Sequence, residues 1–250
     1  MLIIITIDGP AGAGKSTVAR ALATRLHYVF LDTGAIYRTL ALACRRSQQE
    51  WDNESGVCSV ARDMVQNQRM RFVNLEGGQR VILDNEDVSE AIREPDISAG
   101  ASKVSAHAKA REVLLSMQRD VARHASVVVE GRDTGTVVFP DALVKFFITA
   151  TPEQRARRRC DELIAKGTAA DYEETVAAIL ERDARDEQRA AAPLRCADDA
   201  IVVNTTTMTV EEVVGEMLHL VQRTIRHRFP DLQSDGMEII SEIAACSDSR

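Results

Sequence analysis

The chain has 250 residues, of which 45% are apolar and only 4% aromatic, with a net charge of −7. That length allows one large α/β domain with an insertion, or two small ones; the acidic balance and the scarcity of rings argue against a nucleic-acid polymer as ligand, which calls for a basic patch and stacking platforms. Cys44, Cys58, Cys160, Cys196 and Cys246 are scattered without any C-x-x-C pair, which argues against a zinc site or a disulfide framework and fits a reducing compartment.

Leu2 to Ile7 is a run dominated by β-branched residues, the pattern of a strand buried on both faces of a parallel sheet. It is short, lacks a basic leader and runs straight into a glycine loop, so it reads as a core strand rather than a signal peptide. No other stretch approaches a membrane span, and a cytoplasmic protein without membrane association is expected. After the loop, Val18, Leu22 and Leu26 recur at helical spacing. A second strand is expected at 28–32, then a helix over "GAIYRTLALACRR" opened by Asp32 or Thr33 as a cap.

From 69 to 98 the rhythm breaks: "MRFVNLEGGQRVILDNEDVS" alternates on both sides of Gly77-Gly78 and reads as an antiparallel hairpin. Helices are expected at 96–106 and 109–123, strands at 126–130, 144–150 and 200–204, and helices at 152–166 and over "TVEEVVGEMLHLVQRTIRHR". Strands alternating with helices imply an α/β fold whose central parallel sheet is covered on both faces. The tail from 229 holds one short amphipathic stretch and a polar end.

"GPAGAGKST" satisfies G-x-x-x-x-G-K-[ST] between a strand and a helix. Gly9, Pro10, Ala11, Gly12, Ala13, Gly14, Lys15, Ser16 and Thr17 would cradle a nucleoside triphosphate: backbone N–H groups approach the oxygens where glycine leaves room, Lys15 meets the β and γ phosphates, and the Ser16 hydroxyl serves Mg2+. GTPases, ATPase motors and small-molecule kinases all carry such a loop. No N-K-x-D segment is present to read guanine, and "VVVEGRD", the nearest match to the acidic strand end of a motor, continues into a Gly-Arg-Asp turn.

A kinase needs a second anion site, and arginines supply one. Arg38 lies one turn from Gly34 and can reach back to its helix N-terminus. Arg132 and Asp133 sit just past a core strand, where ligands of open α/β sheets bind. In "LERDARDEQR", Arg182, Arg185, Asp186 and Arg189 share helical spacing, and the like-charge pair Arg185 and Arg189 is unfavourable unless an anion comes between them; the competing reading is a solvated face with Glu181 paired to Arg185 and Asp186 to Arg182. Arg155, Arg157, Arg158 and Arg159 form a further basic group suited to a flap that closes over the phosphates, or to a plain solvent face.

"IDGPAGAGKST", "LDTGAIYR", "EGRDTGTVVFPDA", "ERDARDEQRAAAPL" and "DDAIVVNTT", in this order and spacing, closely resemble the bacterial cytidylate kinases over roughly residues 2–226, more weakly between about 45 and 68. The resemblance implies a P-loop nucleoside monophosphate kinase over 1–228: a three-layer core of 1–68 and 99–228, a small three-stranded antiparallel insertion at about 69–98 that binds the monophosphate, and a short lid at about 155–170. Residues 229–250 would be an extension. It also implies ATP as phosphoryl donor with Mg2+, CMP and dCMP as acceptors, and a monomer.

Carried over by motif, Thr33, Arg38 and Arg132 would hold the acceptor phosphate, Ser102, Arg111 and Asp133 would read cytosine, and Tyr37 would pack near the base. Arg182 and Asp186 would meet the ribose, while Arg189 and the lid residue Arg158 would serve the phosphates. Lys15, Arg132, Arg182, Arg189 and Arg158 are thus the expected catalytic groups, spreading the charge of an in-line transfer that needs no general base. A kinase for another acceptor such as UMP, or an ATP-dependent regulator, remains the alternative.

Overall fold

The computed structural model describes residues 2–75, 78–165 and 167–230. Gly77 of the expected hairpin turn, and residues 231–250 of the expected extension, lie outside them.

Five parallel strands form the central sheet: β1 (Ile4–Asp8), β2 (Val29–Asp32), β6 (Val127–Glu130), β7 (Val144–Thr149) and β8 (Ile201–Asn204), in spatial order β2-β6-β1-β7-β8. Alternate residues feed two cores, because successive side chains on a strand point to opposite faces. Ile5, Ile7 and Val128 pack with Val18 and Leu22 of α1 (Lys15–Leu26) and with Val213 and Met217 of α8 (Val210–Arg228). Val127 and Val129 pack on the other face with Ile36 and Leu40 of α2 (Thr33–Arg46), Val57 of α3 (Glu54–Gln66), Ile97 of α4 (Pro95–Val104) and Leu114 of α5 (Ala108–Asp120). This is the expected three-layer α/β arrangement.

Local chemistry sets the helix starts. Asp32 accepts from the Ala35 N–H at 2.9 Å and caps α2, and Thr209 and Glu212 form a reciprocal capping box on α8. Asp171 caps α7 (Tyr172–Gln188) by accepting from Glu174 N at 2.8 Å. The remaining helix, α6 (Pro152–Ala165), follows β7.

A separate antiparallel sheet holds β3 (Met70–Leu75), β4 (Gly78–Leu83) and the two-residue β5 (Glu86–Asp87). It touches the main sheet where the Gln79 side chain donates to the Phe30 carbonyl at 2.6 Å. α3 occupies the stretch for which the sequence pattern assigns no element; its cap Asn53 accepts from Gly56 N at 3.2 Å, and Val57, Val60, Ala61 and Met64 form its buried face. After β6 the chain makes an unexpected π-helical turn over Thr134–Val138, closed by Phe139 N donating to Thr134 O at 2.7 Å. Among the described residues no helix is long and apolar enough to cross a membrane.

Candidate active site

The site lies at the carboxyl ends of the parallel strands, where β1 stands between β6 and β7. Beyond Asp8 the chain turns at Gly9 with φ 147°, and a Cβ there would lie 2.0 Å from the Ile148 carbonyl oxygen on β7. Gly14, left-handed at φ 88°, occupies the cap position of α1 and has no side chain to cap it. Its first N–H groups therefore suit an anion. Lys15 is buried, its Nζ donating to the Pro10 carbonyl at 2.6 Å. Burial, and next the Arg132 guanidinium, hold its ammonium well below the ordinary lysine range; a phosphate would counter both.

Ser16 Oγ donates to Glu130 Oε2 at 2.9 Å. Glu130 ends β6 beside Asp32 of β2, its register partner, and its other oxygen is buried without a hydrogen-bond partner among the described residues. Burial, with Asp32 next, pushes this carboxyl up to about 7. Glu130 is the acidic strand end of "VVVEGRD", to which the sequence pattern assigns no binding role.

The second anion site faces this loop. Arg38 folds back over the start of α2, its Nη2 donating to Asp32 Oδ2 at 2.6 Å, as its spacing from Gly34 predicts. Thr33 Oγ1 donates to the Glu130 carbonyl at 2.8 Å. Arg132, just past β6, sends its Nε to Asp186 Oδ2 on α7 at 2.9 Å. Burial pushes the Asp186 carboxyl up, but Arg132 and Arg182 outweigh it and hold it below the usual range. Arg182, one turn before Asp186, makes no ion pair among the described residues, and its Nε is enclosed without a partner. Burial, with Arg132 next, lowers its guanidinium to about 10. Arg132 thus depresses both Lys15 and Arg182, neither of which has an ion pair among the described residues, the electrostatics of a site suited to a multiply charged anion.

Farther from the loop, Asp133 is buried between two arginines. Arg111 pairs with its Oδ2, and Arg189 reaches its Oδ1 at 3.4 Å. Arg111 also lies over the Tyr37 ring, 5.1 Å from its centroid, and donates to the Ser105 carbonyl at 3.2 Å. Ser105 Oγ donates in turn to the Ser102 carbonyl at 3.0 Å, which ties the end of α4 to the cluster. Tyr37, Arg111, Asp133 and Arg189 are therefore together, with Ser102 on the adjoining helix.

Two sequence expectations need correction. The four "LERDARDEQR" residues do not share one working face: Arg182 and Asp186 turn inward, with Asp186 paired to Arg132 rather than to Arg182, whereas Arg185 is exposed and pairs with Glu181 at 3.0 Å, the solvated reading for that pair. Nor are the α6 arginines uniformly a charged flap. Arg155 is buried, donating to the carbonyls of Ala150 and Ala11 at 3.0 Å each and pairing with Asp183 of α7 at 2.6 Å. Arg158 is half-buried beside the loop, donating to Thr205 Oγ1 at 3.1 Å. Arg157 is exposed, and Arg159 pairs with Glu162 at 3.1 Å.

A strand, glycine loop and helix that present Lys15 to an anion, facing a second cationic site across the end of a parallel sheet, define a P-loop kinase. The cytidylate kinase family model matches residues 5–223. A protein named cytidylate kinase from Syntrophotalea carbinolica is 48% identical over 88% of this chain and 92% of its own length. Another so named, from Geobacter sulfurreducens, is 47% identical over 90% of this chain and 94% of its own. Among solved structures, a gluconokinase from Sinorhizobium meliloti 1021 is similar at 17% identity over 92% of this chain and 97% of its own, with a TM-score of 0.45. The chain belongs to the cytidylate kinase family.

Proposed function

We propose that this protein transfers the γ-phosphoryl group of ATP to CMP and dCMP, giving CDP and dCDP. The observation that carries the reading is the pairing of a cationic site, in which Lys15 and Arg182 have no ion pair among the described residues and Arg132 is held by Asp186, with a buried carboxylate, Asp133, fixed by Arg111 and Arg189. Family membership supports it independently.

Cytosine offers an amino donor where uracil offers a carbonyl acceptor, so a fixed carboxylate attracts the first and repels the second. Tyr37 would pack near the base, and Ser102 and Arg111 would complete its reading. The acceptor phosphate would lie among Thr33, Arg38 and Arg132, with the ribose toward Arg182 and Asp186. Gly9 to Thr17 would wrap the ATP phosphates.

Transfer is direct: an oxygen of the acceptor phosphate bonds to the γ phosphorus as the bond to the β–γ bridging oxygen breaks, and ADP leaves with that electron pair. Lys15 and the arginines Arg132, Arg182 and Arg189 spread the charge of a loose transition state. Arg158, already beside the phosphate loop, would act from the lid at about 155–170, which with the insertion at about 69–98 would exclude water. No general base is needed, because the acceptor phosphate is largely ionised near neutral pH.

Ser16 and the Glu130 oxygen without a partner among the described residues fit a divalent cation, since both are hard oxygen donors, one in the first turn of α1 and the other at the end of β6. These two residues would hold Mg2+, which when bound supplies charge neutralisation at the β and γ phosphates. A monomer in the cytoplasm completes the reading. The test is ADP release from ATP with CMP, dCMP, UMP and AMP supplied separately. Rapid turnover with the two cytidine nucleotides is expected, and equal rates with UMP, or ATP hydrolysis that ignores the acceptor, would overturn it.

A further inference from the structure

Asp8 has no part in the binding roles described above, yet it stands at their junction. It is the last residue of β1 and is bonded directly to Gly9, where the phosphate loop begins. Its carboxylate is buried and reaches a segment 126 residues away: Oδ1 accepts from Thr134 N at 2.9 Å and from Thr134 Oγ1 at 2.8 Å, and Oδ2 accepts from Gly135 N at 2.7 Å. These donors open the π-helical turn that directly follows Arg132 and Asp133.

Asp133 occupies the cap position of that turn, where an aspartate commonly accepts from the first free N–H groups. It makes no such bond. Asp8 supplies the capping carboxylate from across the chain, and Asp133 keeps its own for Arg111 and Arg189. The backbone here is pressed on the strand: a Cβ on Gly135 would sit 2.8 Å from Thr6 Oγ1 and 3.4 Å from Asp8 Oδ2. The turn therefore cannot shift toward β1, and the three hydrogen bonds keep it from lifting away.

We propose that Asp8 is a positioning residue for cytosine selection, holding the turn that carries Arg132 and Asp133 in fixed register with the phosphate loop. The inference rests on the function proposed above. Burial pushes the Asp8 carboxyl up, and the bonds from Gly135 and Thr134 offset part of that effect. An asparagine cannot replace it. Its single oxygen accepts two bonds where three donors converge, and its amide hydrogens would face an N–H.

The experiment compares wild type, Asp8→Asn, Thr134→Val, Asp133→Ala and the double variant Asp8→Asn/Asp133→Ala in kcat/KM for CMP and UMP, with Tm alongside. Asp8→Asn should lower the CMP-to-UMP ratio by about tenfold or more, since a displaced carboxylate loses its discrimination. Thr134→Val, which removes one bond and preserves the carboxylate, should lower it by about threefold and keeps the test alive if Asp8→Asn fails to fold. Adding Asp8→Asn to Asp133→Ala should lower the ratio no further, because both act through one group. A normal ratio in both Asp8→Asn and Thr134→Val, whatever their Tm, would overturn the proposal, as would losses that multiply in the double variant. A wild-type protein that leaves CMP unphosphorylated would instead remove the function on which the proposal rests.

Discussion

Arg155 and Asp183 form a buried ion pair at 2.6 Å that ties α6 to α7, and the same guanidinium donates to the carbonyl of Ala11 in the phosphate loop. One side chain thus joins the loop to the helix that carries Arg182 and Asp186. Asp183→Ala would leave the Arg155 charge buried without its counter-ion, and a loss of about 3–5 kcal/mol is expected in urea unfolding. KM for ATP should rise with it, because the loop loses its brace. A loss below about 1 kcal/mol would place this pair with exposed ion pairs, which contribute little.

How much of this was legible in the sequence depends on range. The phosphate loop, the Asp32 cap and the return of Arg38 to its helix start are relations within a few residues, and local spacing predicts each. The inward or outward turn of α7 is different: Arg182 and Arg185 are one turn apart, and spacing alone does not say which reaches the core and which pairs with Glu181. Arg155 with Asp183, and Asp8 with Thr134, are brought together only by tertiary packing, and no periodicity announces them. The Asn53 cap and the apolar spacing of α3 are local signals of a helix, whereas the two-residue β5 is too short to show alternation and is implied only by the family resemblance.

Arg182 tests whether the cationic site is held at the expense of stability. It is a half-buried cation with no carboxylate partner among the described residues, lowered to about 10 by burial and then by Arg132. Arg182→Met keeps much of the apolar stem and removes the charge, so the ligand-free protein should gain about 1–3 kcal/mol. Turnover with CMP should fall by about 100-fold or more, since transition-state charge loses a fixed partner. A lower Tm together with unchanged kcat would show that the guanidinium serves packing alone.

Gly9 is the position where the loop tolerates no side chain. Its φ of 147° and the 2.0 Å approach of a Cβ to the Ile148 carbonyl oxygen involve backbone on both sides, so no rotamer change relieves the clash. Gly9→Ala should cost about 2 kcal/mol or more and weaken ATP binding, because the loop must move off β7 to admit the methyl group. Thermal unfolding with and without ATP separates the two effects. Normal ligand-induced stabilisation in the variant would contradict the assigned loop geometry.

Glu130 makes stability depend on pH in an unusual direction. Burial, with Asp32 next, raises its carboxyl from 4.5 to about 7 in the folded protein, so the native state holds a proton that the unfolded chain has released. The stabilisation is complete below about pH 4.5 and is lost as pH rises through about 7. Glu130→Gln stays neutral throughout, so its stability relative to wild type should climb by about 3 kcal/mol from pH 4 to pH 8 in the ligand-free proteins. A cation held by Ser16 and the free Glu130 oxygen would favour the carboxylate and expel that proton. Calorimetry of Mg·ATP binding near pH 6.5 should therefore give heats that vary with the buffer's ionisation enthalpy in wild type and far less in Glu130→Gln, and equal buffer dependence in both would remove Glu130 from the cation site.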